Sequence, residues 1–399
     1  KIKMKKNKIT VVGGAGHIGL PLSIVFANKG FDVAVLDKNK SAMELAQKGI
    51  MPFKEKDGAK NLKKALKKKI KFYSKPSNYI SNSTIVITVG TPVDDFLNPD
   101  MSQIKSCIDS LIPYLSKGQL IILRSTVYPG TSEWLYQYLY KKKKCDIAFC
   151  HERVIQGYTF DEIENLPQII AASSLLAKKR ASNIFKKISK KIVYCSLKEA
   201  EFSKLFSNAF RYAQFAISNE FYMLADKANL DFNKIRKITK DGYPRAEAMP
   251  SAGFAAGPCL LKDTMQLLSF SRNNFSIGNS SMLVNEGMVL YLIDKLEKKF
   301  NLRKKNVGLL GMAFKAECDD ARSSLSYKMK KILSTKVKKL YCTDPYVQTD
   351  NNLSTLESTI KNSDILILCV PHKKYKRLNL KKKYLIDIWG FNHKKWKKY

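Results

Sequence analysis

The sequence predicts an α/β protein: two doubly wound domains joined by a helical middle with one long helix. Three observations carry this. Short apolar runs alternate with helix-spaced segments at both ends of the chain. A glycine-punctuated turn, Gly14-Ala15-Gly16-His17-Ile18-Gly19, follows the first of these runs. From residue 197, roughly thirty residues keep helical spacing with neither proline nor glycine.

From the N-terminus, KITVVG reads as a short buried strand, HIGLPLSIVFANKG as a helix stopped at Gly30, and DVAVLD as a second strand. A helix over SAMELAQKG follows, then a lysine-rich surface helix and loop at 54–71. TIVITVG, QLIILRS and DIAFC read as further strands, with helices around SCIDSLIPYL and TSEWLYQYLY between them. Alternation of this length implies a parallel sheet covered by helices on both faces. Beyond the long helix, further helices are expected near 232–240 and 279–300. The alternation then resumes with strand NVGLLGMAF, a helix near SSLSYKMKKIL, and strands KLYC, DILILCV and YLIDIWG. The expected domains are 1–196, 197–300 and 301–399.

The chain has 399 residues, 45% hydrophobic and 26% charged, so each domain has material for a core. No apolar run approaches the ~20 residues that span a bilayer. The basic start, KIKMKKNKIT, runs through a short strand into the glycine turn and does not read as a secretory signal. The eight cysteines form no C-x-x-C and the four histidines are scattered, which argues against a disulfide framework and against a metal site. Free thiols fit a reducing cytoplasm. The net charge is +37, from 71 Lys+Arg against 34 Asp+Glu. The lysines are spread along the whole chain and lack the interleaved aromatics of a base-stacking surface. They read as a basic surface that attracts anionic ligands rather than as a nucleic-acid interface.

The glycine turn carries nucleotide chemistry because it follows a strand and opens a helix. Gly14 permits the tight turn, Gly16 lets a pyrophosphate approach the backbone, and Gly19 lets helix and strand pack closely. The helix start, with His17 and Ile18 in the turn, offers free N–H groups to phosphates. Asp37 ends the second strand, where a carboxylate accepts hydrogen bonds from a ribose 2′-hydroxyl, so NAD is favoured over NADP; Lys38 beside it softens that preference. Two more loops, Gly90-Thr91-Pro92 and Ser125 to Thr131, follow strands of the same sheet and extend the cofactor edge.

In the order in which they occur, VVGGAGHIGLPL, VGTP, STVYPGT, HERV, EAEFSKLFSNAFRYAQFAISNEF, GFAAGPCLLKD and LLGMAFKAECDDARSS resemble the nucleotide-sugar 6-dehydrogenases, which oxidise UDP-glucose, UDP-N-acetylglucosamine and UDP-N-acetylmannosamine to uronic acids. The resemblance covers nearly the whole length. It implies a Rossmann-like NAD-binding domain, a central domain used for dimerisation, and a C-terminal Rossmann-like domain for the UDP-sugar, in a cytoplasmic enzyme of polysaccharide biosynthesis that forms a homodimer or higher oligomer.

The resemblance also implies roles. A C6 alcohol loses two hydrides to two NAD molecules. The intervening aldehyde needs a nucleophile before it can lose the second, and Cys259 takes that part, through a thiohemiacetal and then a thioester. Lys204 and Asn208, four apart on one helix face, stabilise the oxyanion, and the ammonium favours the thiolate. Asp263 serves thioester hydrolysis, Glu152 handles protons and water, and Thr126 holds that water or the nicotinamide end. Arg153, Phe254, Gly257, Lys315 and Arg322 are expected at the sugar nucleotide. Small residues ahead of Cys259 are expected to let the sugar approach, and the polar Lys262-Asp263 pair to mark an accessible site.

Arg211 and Arg245 lean the substrate toward N-acetylhexosamines, with UDP-glucose the alternative. Leu261 departs from the proline common before the Lys-Asp pair. Cys150 and His151 also depart from the small residue and proline usual before Glu-Arg. This departure raises a rival hydrolytic pair, which neighbouring strand residues disfavour because they point to opposite faces. Other rivals are a two-electron 3-hydroxyacid dehydrogenase, a basic nucleic-acid-binding protein on a dinucleotide fold, and a degenerate family member. Counting NADH per substrate separates the first.

Overall fold

The computed structural model describes residues 8–94, 97–376, 378, 380 and 383–391. Its first sheet contains β1 (Lys8–Val12), β2 (Asp32–Leu36), β3 (Ile70–Tyr73), β4 (Thr84–Ile87), β5 (Leu120–Leu123), β6 (Asp146–Phe149), β7 (Gln168–Ala172) and β8 (Ile192–Tyr194), in the order β3-β2-β1-β4-β5-β6-β7-β8. The order reverses at β1, which pairs in parallel with both β2 and β4, and a crevice at such a reversal is where doubly wound sheets take ligands. Successive residues serve opposite faces. Val11, Val86 and Ile122 enter one core with Phe26 and Phe185, whereas Val12, Ile87 and Leu123 enter the other with Leu135 and Phe149.

The sheet is not wholly parallel. β7 pairs antiparallel with β6, and β8 runs parallel to β7. An antiparallel edge on a parallel sheet is a common closure, and the period of QIIAA carries no information on strand direction. The stretch 54–71, expected as a surface helix and loop, holds the helix Gly58–Leu66 and at its end the first two residues of β3, a partly buried edge strand.

The long helix is Leu197–Lys227, 31 residues. The chain divides into two compact units within this helix, after Phe206. In the second unit lie helices Phe232–Lys240, Leu260–Phe270 and Ser276–Lys299, and the sheet β9 (Asn306–Leu310), β10 (Lys339–Thr343), β11 (Ile365–Leu368) and β12 (Tyr384–Ile386). These four strands are parallel, in the order β10-β9-β11-β12. Helical middle and C-terminal sheet share one core: Met288, Leu292 and Leu296 pack with Val307, Leu309 and Ile367. Among the described residues no helix is long and apolar enough to cross a membrane.

Candidate active site

In the first unit the site is built at the carboxyl ends of β1, β4, β5 and β6. After β1, the amides of Gly13 and Gly14 donate to the Leu36 carbonyl, and that of Ala15 donates to Oδ2 of Asp37 at 2.9 Å. Oδ1 of Asp37 accepts from the Asn39 amide, and the half-buried carboxylate stands at the turn. The three glycines divide the work. A Cβ on Gly14 would meet the Val11 carbonyl oxygen at 2.7 Å and one on Gly19 would meet the Gly13 oxygen at 2.2 Å, so both serve close packing. Gly16 is exposed and its Cβ position has no neighbour nearer than 3.5 Å, which leaves the backbone approachable from outside. Such a turn and carboxylate fit a dinucleotide. His17 stacks on Phe53, centroids 4.2 Å apart; Ile18 is half-buried at the helix start, and Lys38 is exposed.

The next two loops are tied to each other and to this turn. Thr88, at the end of β4 and not singled out from sequence, donates to the carbonyls of Val12 and Gly13. The Thr91 hydroxyl, next to the half-buried Pro92, donates to the Thr126 carbonyl at 2.5 Å, and Ser125 donates to Val89. Glu201, 1% exposed, reaches from the long helix to accept the amides of Gly130 and Ser132 at 2.6 and 2.7 Å, capping the helix Thr131–Lys143. Burial pushes its carboxyl up.

Glu152 is gripped. Oε2 pairs with the guanidinium of buried Arg124, and Oε1 accepts the amides of Arg153 and Val154. Arg124 also donates to the Cys150 carbonyl and to Gln168. The Arg153 guanidinium bonds the Pro167 carbonyl, so it braces the loop. Cys150 and His151 do not form a hydrolytic pair. Burial pushes the Cys150 thiol up to about 12. His151, bonded through Nε2 to Ser203, is pushed down to about 3 by burial and then by Lys204, Arg153 and Arg124. Lys204 is half-buried.

In the second unit, Cys259 is exposed and sits directly before the helix Leu260–Phe270. A thiol at a helix start gains from its positive end when it ionises. One turn on, Asp263 is fully buried. Its Oδ2 accepts from the Asn208 amide at 2.5 Å, and Lys262 Nζ lies 2.6 Å from Oδ1, a charge contact outside hydrogen-bond alignment. The Lys262-Asp263 pair therefore does not mark a surface; the accessible group is the thiol.

The small residues before Cys259 answer to protein rings. A Cβ on Gly253 would meet the Trp389 ring at 2.2 Å, and one on Gly257, at φ +104°, would meet the Phe314 ring at 2.5 Å. The loop is also strung from the long helix, where Asn219 accepts the Gly253 amide and Ser218 bonds the Pro250 carbonyl. Phe254 is buried in the core. Arg322 is bidentate to Asp320, which holds the guanidinium further toward its charged form, with Cys259 a smaller contributor. Lys315 is half-buried over Phe314. Arg211 and Arg245 are exposed, the latter stacked on Tyr243.

The first unit's nucleotide turn, ending in an acid, marks a dinucleotide-binding protein of the doubly wound class; the second unit by itself carries an exposed thiol at a helix start. Family models sharpen this. The NAD binding domain of the UDP-glucose/GDP-mannose dehydrogenase family matches residues 7–189, its central domain 198–286 and its UDP binding domain 308–394. The chain belongs to this family and is an NAD-dependent UDP-sugar dehydrogenase. It is 28% identical over 382 residues to a UDP-N-acetyl-D-mannosamine dehydrogenase from Pyrococcus horikoshii, covering 92% of this chain and 90% of the relative. A solved structure of the P. horikoshii UDP-D-ManNAc dehydrogenase superposes with a TM-score of 0.84 at 28% identity, covering 93% and 91% of the two chains. A UDP-glucose dehydrogenase from Pyrobaculum islandicum gives 0.89 at 21% identity, covering 98% and 97%, a likeness of fold.

Proposed function

We propose that the protein oxidises the C6 alcohol of a UDP-N-acetylhexosamine, N-acetylmannosamine first among them, to the uronic acid. NAD, when bound, accepts a hydride in each of two oxidations. The chain's own groups do the rest. Cys259 adds to the C6 aldehyde to give a thiohemiacetal, whose oxidation leaves a thioester that water cleaves to acid and free thiol. Lys204 neutralises the anionic oxygen; Asn208 orients Asp263, which directs the hydrolytic water; Glu152 handles protons and water, and Thr126 serves that water or the nicotinamide end. Lys315 and Arg322 hold the nucleotide's anionic part.

The observation that carries this reading is the exposed thiol of Cys259 one helical turn from a buried, oriented Asp263. The relatives' names and Arg211 and Arg245 support the N-acetyl substrate. The test is NADH release with UDP-N-acetylmannosamine, UDP-N-acetylglucosamine, UDP-N-acetylgalactosamine and UDP-glucose. Two NADH per sugar and preference for an N-acetyl sugar are expected. One NADH, or Cys259→Ser with full turnover, overturns the four-electron route, and preference for UDP-glucose overturns the substrate.

We also read the enzyme as a homodimer acting in the cytoplasm. Phe206, Phe210, Ile217, Phe221 and Leu224 line one face of the long helix, each 44–65% exposed. A hollow of about 370 Å³ lies at the end of this face, lined by Phe221 and Leu224 together with Leu230, Phe232 and Ile235. Sedimentation at micromolar concentration tests the dimer; a monomer there overturns it.

A further inference from the structure

Three loops leave the carboxyl edge of the second sheet: 311–324 after β9, 344–347 after β10 and 369–373 after β11. The first carries Lys315 and Arg322. Its backbone is not one that a loop adopts unaided, because Glu317 lies at φ +56° and Ser323 at φ +51°.

One imidazole joins all three. The Glu317 amide donates to Nδ1 of His372 at 3.0 Å. Nε2 of the same ring lies 3.1 Å from Oδ2 of Asp344. A backbone N–H only donates, so Nδ1 is the acceptor and the ring proton is on Nε2, given to Asp344. That Asp344 oxygen also accepts the amides of Met312 and Ala313, at 2.6 and 2.9 Å, while Oδ1 accepts those of Tyr346 and Val347. The Glu317 carboxylate closes the arrangement by accepting from the Lys373 amide and the Tyr346 hydroxyl. His372 is fully buried, edge-on to the rings of Tyr346 and Tyr375. The loop it holds is in turn joined to the cysteine loop: Gly257 donates to the Ser323 carbonyl at 3.1 Å, and Phe314 fills the space beside Gly257.

We propose that His372, as the neutral Nε2–H tautomer, is a positioning residue for sugar-nucleotide binding. It locks Glu317 in its left-handed conformation, and so sets the loop that presents Lys315 and Arg322 and buttresses the approach to Cys259. The inference rests on Lys315 and Arg322 being substrate contacts. His372 itself touches no substrate.

Three variants separate its two bonds. His372→Asn retains an acceptor where Nδ1 stood. His372→Gln extends toward Asp344 and loses that acceptor. His372→Leu loses both. The readouts are hydrogen exchange of the 311–324 amides, UDP affinity by calorimetry, and KM for UDP-N-acetylmannosamine and for NAD. Faster loop exchange is expected in Leu and Gln, with UDP affinity down about tenfold or more, the scale of one lost buried hydrogen bond. Asn should stay near wild type, and KM for NAD should hold in all three. Unchanged loop exchange in Leu, or equal damage in Asn and Leu, overturns the role of His372. Faster exchange with undiminished UDP affinity overturns instead the assignment of Lys315 and Arg322 to the substrate, and with it the role claimed for His372 in binding.

Discussion

The Asn208 side chain donates to Oδ2 of Asp263 at 2.5 Å across 55 positions of sequence, and both residues are buried. The carboxylate one turn beyond Cys259 is thus aimed by the long helix rather than by the helix that bears it. Asn208→Leu leaves that carboxylate without its donor, a loss of about 1.5–3 kcal/mol for a hydrogen bond to a charged group. The expected result is a kcat reduced about 10–100-fold, with KM for NAD unchanged. Rapid mixing should show a burst of NADH followed by slow turnover, since thioester hydrolysis is the step assigned to Asp263. A uniform slowing without a burst would move Asp263 to another step.

Gly257 is fixed twice, by φ +104° and by the Phe314 ring. Gly257→Ala should cost about 1–3 kcal/mol locally and shift the loop that bears Cys259. Turnover is expected to fall at least tenfold while NAD affinity is retained. Adding Phe314→Ala removes the clash but not the backbone strain, so only partial recovery is expected. Alkylation rates at Cys259, compared across the variants, report the loop directly.

The Arg124–Glu152 pair is nearly buried, with 1% and 12% of the side chains exposed. Arg124→Met strands a carboxylate and should destabilise by about 3–5 kcal/mol. The double change to Met at Arg124 and Glu152 should recover much of that stability in a urea melt and none of the activity. Recovery of both would make the pair structural only.

His151 gives a signed pH effect. Its folded value near 3 lies below the ordinary 6.5, so below pH 6.5 the unfolded chain takes up a proton that the folded one refuses. Stability therefore falls as pH drops through 6.5, and the loss levels off near 3. At pH 5 the cost is about 2 kcal/mol. His151→Gln should flatten the fall in melting temperature between pH 7 and 5; an unaltered slope would assign it to other groups.

Much of the first sheet was legible because β1, β4 and β5 are apolar runs bounded by glycine and polar loops. The turn at Gly14 to Gly19 announced its chemistry by position. The long helix was legible from its uninterrupted period. The edge strands were not. Ile70–Tyr73 is only partly buried and emerges from a lysine run, and Ile192–Tyr194 is three residues long and largely exposed. Candidate site residues defined by type and motif, such as Cys259 and Asp37, could be proposed from the chain. Those defined by a distant partner could not: nothing near Arg124 in sequence points to Glu152, and nothing near His372 points to Glu317. The glycines before Cys259 were visible but their cause was not, since Phe314 and Trp389 reach them from 57 and 136 positions away.

Asp37 and Asp344 occupy the same station, just past the second strand of their respective turns, each bonding the amides of the turn after the first strand. Asp37 keeps lone-pair capacity and stands half in solvent, whereas Asp344 is consumed by four amides and an imidazole. A carboxylate already committed on every side cannot greet a ribose. The C-terminal half has thereby surrendered the means of reading a dinucleotide in the manner open to the N-terminal one, and of the two kindred turns only the first keeps a carboxylate to spare.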